Sequence, residues 1–371
     1  MKQFLILSLG VLLFSCTESN TNKMGRIEFE GLKTFPEREK IIMEDLNVSI
    51  KPIRLETNDA CLLGKITHLE DVDYFWIVAD RQVYKFNKNG SFVGKIGQKG
   101  QGPAEYVAPQ KIQIDSNLKI VYVMDYLGRK IVTYDYSGNF LKSLPLPEDY
   151  SLNNMVLNNG NLFLLSNNNS IMPDLFSCNI ETGKIDTISY RERAMGQEAF
   201  AGNTYMYNIE GDTYLYHYFN DTVYSFKNNK LIPAYLLDLG NSMFTFKQLT
   251  VIGDGTSEEP IDNPKIMLSN FIETNRGIIL SFSVVSSWKM GSKPDMRFSY
   301  YDKSIQKNYP DAYFISKDIP VFSIENKDPV FASSDANSIY TFKQAYELVE
   351  EEIIEGLEDE DNPIIIQYTF N

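Results

Sequence analysis

Histidine, cysteine and tryptophan are nearly missing: 371 residues hold two, three and two of them. His68 and His217 stand far apart, and neither has a neighbouring ligand motif. A three-histidine zinc site is therefore excluded, and lyases or quinoproteins that depend on histidine are disfavoured. Cys61 and Cys178 fall in different repeats, expected too far apart for disulfide geometry, so packing and hydrogen bonds must hold the fold. Basic residues are in deficit, 35 against 49 acidic ones, giving a net charge of −14. So acidic a chain repels phosphate backbones, which argues against a nucleic-acid partner. No G-x-S-x-G elbow and no H-E-x-x-H occurs, and nothing in the sequence asks for a cofactor or a resident metal. Long apolar runs are missing too. Residues 4–14 form an 11-residue run, against roughly 20 needed to cross a bilayer as a helix.

That short run follows Lys2 and ends at Leu13-Phe14-Ser15-Cys16, the pattern of a secretory signal peptide over 1–15 closed by a lipobox-like cysteine. Cys16 is the expected lipidation site, although Phe14 departs from the small residue usual there. The plainer reading is ordinary cleavage with an incidental thiol. Residues 16–25, rich in Ser, Thr and Asn, read as a flexible tether, and 26–371 as one domain. Lipid would hold that domain on a membrane of the cell envelope, with an outer-membrane location expected and its face open.

What the chain has in plenty is aromatic and apolar residues, 13% and 43%, with 23 Tyr and 23 Phe, a composition that favours strands. One pattern recurs: an apolar strand ending in an acidic residue or Asn, a second strand, and a turn closed by glycine. Copies begin at Ile77, Tyr122, Phe163, Tyr214, Ile279 and Ile339, and the outer turns carry Gly90, Gly138 and Gly183. A fourth turn, at Asn228-Asn229, replaces glycine with asparagine, which also tolerates positive φ. Spacings of 41 to 65 residues with several short strands each predict an all-β, six-bladed β-propeller of four-stranded antiparallel blades. At about 54 residues per blade over 48–370, seven blades stay open and the larger spacings read as insertions. The ring is expected to close by pairing the terminal strand at 363–370 with residues 48–55. One short helix, over 342–354 and ended by Gly356, is expected within the last blade.

The segment I-G-Q-K-G-Q-G-P-A-E-Y at 96–106, I-V-T-Y-D-Y-S-G-N-F at 131–140, the terminal D-N-P-I-I-I-Q-Y and the lipobox together give a chain that resembles the six-bladed β-propeller lipoproteins of Bacteroidetes, relatives of the NHL-type propellers. The resemblance implies fold and envelope location; it implies no reaction, because fold alone does not license function.

Gly97, Gly100 and Gly102 with Pro103 suggest a phosphate cradle, but Lys99 precedes the last glycine and no helix follows, so that chemistry lacks its parts. The plainer reading is a blade-to-blade connection. Gln101, Glu105 and Tyr106 nonetheless offer polar and aromatic groups near one mouth of the ring. Arg81 after Asp80, and Arg129 after Asp125, could line the same face; equally, each Asp takes turn N–H groups. Trp76 and Trp288 read as packing, the run 358–361 as a solvated loop, and 191–205 and 240–264 as long insertions able to carry binding. The expected function is an envelope-anchored, non-catalytic binding or scaffold module for a protein or glycan. The alternative is a carboxylate-based glycan hydrolase or lyase with its site at the axial mouth.

Overall fold

A strand that is apolar at every position needs cover on both faces, and the ring supplies it. In the computed structural model, which describes residues 25–28, 39–147, 152–166, 175–189, 205–209, 211–216, 221–227, 230–243, 265–285, 296–325 and 328–371, each of the six repeated segments is the second strand of a blade. They are Phe75–Ala79, Ile120–Asp125, Asn161–Ser166, Asp212–Tyr216, Gly277–Val285 and Ser338–Lys343. Blade 1 comprises Ile66–Asp71, Phe75–Ala79, Gln82–Phe86 and Phe92–Ile96, all antiparallel. Blade 2 follows from Pro109–Asp115 out to Phe140–Pro145, blade 3 from Leu152–Asn158 to Ile185–Ser189, blade 4 from Tyr205–Ile209 to Lys230–Asp238, and blade 5 from Lys265–Glu273 to Lys307–Ile315. Blade 6 joins Phe331–Ala332, Ser338–Lys343 and Ile364–Phe370 to the N-terminal strand Val48–Ile53. Blade 5 owes its length to strands of nine residues.

The hydrophobic core is six cores, one per blade interface. In blade 1, Phe75, Ile77 and Ala79 pack on Tyr340, Phe342 and Ile365 of blade 6. The alternate residues Trp76 and Val78 pack on Val121, Val123 and Val132 of blade 2. Tyr122 and Met124 in turn meet Leu162, Leu164 and Phe176 of blade 3. The period-two alternation of a strand thus faces two different neighbours and leaves no solvent side. Fully burying one such side chain stabilises by about 1.5–3 kcal/mol.

Outer turns follow the glycine pattern, with φ of 91° at Gly90, 85° at Gly138 and 71° at Gly183. At Gly90 a Cβ would fall 1.9 Å from the Arg54 carbonyl, so the position demands both the left-handed backbone and the missing side chain. The repeated acid also has a structural role. Asp80 Oδ2 accepts the Gly64 N–H at 2.7 Å, and Asp125 accepts those of Val107 and Ala108 at 2.9 and 2.8 Å. Each carboxylate ties the end of a second strand to the chain entering its blade's innermost strand.

Ring closure runs as expected, antiparallel from Ile365↔Ile53 to Phe370↔Val48. Asn362, fully buried, reinforces it by donating to the Glu56 and Cys61 carbonyls at 2.7 and 2.9 Å and accepting from Leu63 N at 2.7 Å. Cys61 and Cys178 are free buried thiols. Two strands were not expected. Gly25–Glu28 adds a parallel fifth strand outside blade 4, and Glu39–Ile42 does the same outside blade 5. The N-terminal segment is a strap over three successive blade edges.

The helix is shorter than its apolar spacing predicts, one turn at Tyr346–Val349. Phe342 and Lys343 belong to the preceding strand. Beyond the turn, three successive carboxylates at Glu350–Glu352 oppose the helix C-terminal dipole, and Glu352 already has φ 50°. Cys16, the leader, most of the tether, His217, Trp288 and most of both long insertions lie outside the described residues.

Candidate functional site: the axial chamber

The innermost strands ring the axis and enclose a chamber of about 570 Å³ that takes lining residues from all six blades. Four of those strands carry the same irregularity near their start. The register slips by one residue between Ile66 and His68, Pro109 and Lys111, Leu152 and Asn154, and Leu268 and Asn270. A β-bulge re-aims the side chain that follows it, and here the re-aimed residues are His68, Lys111, Asn154 and Asn270, all lining the chamber. Two residues further along, on the same strand face, stand Glu70 and Gln113.

These groups form one network. Glu70 Oε1 accepts from His68 Nε2 and from Gln113 Nε2, each at 2.9 Å. Gln113 Oε1 accepts the Leu157 N–H at 2.9 Å, and Asn208 Nδ2 donates to the Leu157 carbonyl at 2.7 Å. Lys111 Nζ lies 3.4 Å from His68 Nδ1. The arrangement assigns the His68 proton to Nε2 and leaves Nδ1 to accept. Burial, and secondarily the Lys111 charge, hold His68 below its usual pKa, and burial likewise lowers Lys111. On the far side, Glu273 accepts from Tyr207 at 2.8 Å, from Tyr235, and from Lys303 at 2.5 Å. Burial keeps both phenols protonated well past their usual value. Asp328 pairs with Lys343 at 2.7 Å, both nearly inaccessible.

A histidine depressed in the folded state resists protonation that the unfolded chain, at about 6.5, accepts. The contribution is complete above pH 6.5 and is lost as pH falls below it. Denaturant unfolding midpoints between pH 7.5 and 5.5 are therefore expected to drop more steeply for the wild type than for His68→Asn.

None of the loop residues singled out in the sequence lines this chamber. Tyr106 is fully buried, its hydroxyl donating to the Ile96 carbonyl at 2.5 Å and accepting from Val83 N at 3.1 Å and from Gln82. Glu105 Oε2 accepts the Gly102 N–H at 2.9 Å. Gln101 and Arg81 are exposed, and Arg129 donates to the Pro147 carbonyl at 2.7 Å. All five belong to turns and connections that emerge on one face of blades 1 and 2. The glycine segment folds back through a short parallel pair, Gln98↔Glu105 and Lys99↔Tyr106. Gly97, at φ 65°, lies where a Cβ would sit 2.5 Å from the Tyr134 ring. The segment thus plugs the groove between blades 1 and 2. Tyr106→Phe is expected to destabilise by about 1–3 kcal/mol, the cost of orphaning buried polar partners, read as a fall in denaturation midpoint.

The chamber residues are hard to read from the sequence because a bulge breaks strand alternation just where they stand. A polar pair at i, i+2 shortly upstream of the first two repeated apolar strands, His68/Glu70 and Lys111/Gln113, is the signal that points to them.

Residues 29–369 match the family model described as Domain of unknown function (DUF4934). No curated protein matches the chain. Among solved structures, a candidate exported protein of Bacteroides fragilis NCTC 9343 is similar at TM-score 0.72 and 18% identity, over 90% of this chain and 98% of its own. A DUF4221 family member from Bacteroides vulgatus ATCC 8482 follows at TM-score 0.55 and 10% identity, over 87% and 98%. At such identities the likeness shows a shared fold.

Proposed function

Since the chain belongs to the DUF4934 family, whose description names no activity, we propose a function from the axial chamber: an envelope-anchored, non-catalytic module that binds a glycan in the propeller axis. The observation that carries this reading is the chamber itself, built by six blades and lined by amides, a lysine and aromatic rings including Tyr205, Phe271 and Phe331. Its volume lies within the roughly 300–1,000 Å³ of small-ligand sites, room for a few sugar units and too little for a folded protein.

The chamber's carboxylates favour binding over hydrolysis. Two-carboxylate glycosidases need one carboxyl free to act as acid and a second free to attack or activate water. Glu70 is engaged by His68 and Gln113, Glu273 by two tyrosines and Lys303, and Asp328 by Lys343. Export and lipidation at Cys16 complete the proposal, supported by the leader-like sequence and the likeness to a candidate exported protein. The exposed Arg81 and Gln101 remain candidates for contacts with ligand projecting from the chamber.

Titration of the detergent-solubilised full-length protein on an immobilised oligosaccharide array tests the reading. Saturable retention of at least one glycan, with its chain length unchanged after overnight incubation, is expected. Uniformly absent retention overturns the binding role, and shortened oligosaccharides overturn the non-catalytic one.

A further inference from the structure

We propose that the ligand is acidic, a glycan whose sugar carboxylate is anchored on Lys111; this rests on the glycan-binding reading above. Lys111 is the one cationic side chain of the chamber lining among the described residues. Three other wholly or partly buried lysines are already satisfied. Lys343 holds Asp328 at 2.7 Å, Lys303 holds Glu273 at 2.5 Å and the Thr274 carbonyl at 2.8 Å, and Lys130 donates to the Gly102 carbonyl at 2.7 Å. Lys111 has a single long hydrogen bond, to His68 Nδ1 at 3.4 Å, and no carboxylate at ion-pair distance among the described residues. Two of its three N–H groups therefore have no protein acceptor there. Burial lowers the Lys111 pKa, with the Glu70 carboxylate opposing it only from beyond ion-pair distance, and a bulge is spent on holding this partly exposed ammonium at the axis. Such a cation marks the place of a missing anion.

The rest of the lining bears on the ligand's chemistry. Across the axis, Asn270, re-aimed by the equivalent bulge of blade 5, receives the Phe271 N–H on Oδ1 at 2.9 Å. Its Nδ2 has no acceptor among the described residues and is a further donor in the same chamber. Glu70 does not compete as a cation site to the same degree, because its Oε1 already accepts two N–H groups, and a ligand cation there would meet Lys111. A positive charge with open N–H groups suits a carboxylate, which accepts through two oxygens, while Asn270, across the axis on blade 5, is placed to donate to another oxygen of the same ligand. The partly exposed Tyr205 and Phe331 rings offer apolar cover for a sugar face. Internal uronates and terminal carboxylated sugars share this chemistry.

The test uses the full-length protein and an array of uronate oligosaccharides, oligosaccharides ending in a carboxylated sugar, the carboxyl-reduced counterpart of each, and hexosamine oligomers as cations. Binding is expected on acidic members of one or both classes, weakened on the order of 10- to 100-fold on carboxyl reduction or in Lys111→Met, the usual weight of a charged hydrogen bond. Lys111→Arg should retain most of it and Asn270→Ala should lose part. Which acidic class binds identifies the source of the carboxylate. Equal retention of acidic and reduced members, preference for hexosamines, or acidic binding indifferent to Lys111→Met overturns the assignment while leaving a glycan-binding module. Absence of binding to every member overturns both. Unfolding midpoints of the variants, expected at or above wild type for Lys111→Met because an uncompensated, partly buried charge is removed, separate lost recognition from lost fold.

Discussion

Lys343→Met is expected to cost about 3–5 kcal/mol of stability, because it strands the Asp328 carboxylate in a nearly inaccessible site. The pair joins the loop before blade 6 to that blade's second strand, and Asp328 also caps the Glu325 N–H at 2.9 Å. Coulomb attraction does little to recommend such a pair over an apolar one. The large effect comes from desolvating one charge without the other. The double variant Asp328→Asn with Lys343→Met should therefore recover most of the loss, although Lys343→Met alone is the more conservative change in shape. Guanidinium unfolding of the two singles and the double closes the cycle. A double variant as unstable as the sum of the singles would show that the pair's contribution is not the stranded charge.

The other large effect is at the ring closure. Of the described residues, a chain starting at residue 39 loses only the parallel strand Gly25–Glu28, and it should stay folded and monodisperse. A chain starting at residue 54 loses the strand Glu39–Ile42 and, with Val48–Ile53, its full register with Ile364–Phe370. That leaves a seven-residue strand, IIIQYTF, as an open edge, and it uncovers both interface cores that Ile53 and Val48 complete. Exposed apolar edges of that length promote association. The loss, several buried side chains and a whole ladder, rivals the roughly 5–15 kcal/mol of net stability a domain possesses. Soluble yield and size-exclusion profiles of the two truncations should diverge sharply; similar profiles would mean that closure is not what holds the ring.

The sequence disclosed those parts of the fold that are repeated and locally regular. All six second strands were legible, because a strand covered on both sides is mostly apolar, as Trp76-Ile77-Val78-Ala79 and, but for Ser281 and Ser283, Gly277–Val285 are. Gly90, Gly138 and Gly183 betrayed the outer turns through a conformation other residues avoid. The N-terminal strap was not legible. Gly25–Glu28 and Glu39–Ile42 are four residues each, with half-polar sequences that become strands only because a blade edge stands ready to pair. The chamber was hidden for a different reason. Its residues lie on short innermost strands where the bulge interrupts alternation, so His68, Lys111, Asn154 and Asn270 share no common phase with their flanks. The glycines and Tyr106 of 97–106 stand out in the sequence for packing reasons instead.

The strap also decides how the ring would bear traction from its leading end. Pulling there would load the four-residue pair on blade 4 first, then the four-residue pair on blade 5, and only afterwards the six-residue ladder that keeps the circle shut. The two short pairs act as a tear strip ahead of a seam, able to yield and re-zip in turn while the bore of the wheel keeps its shape.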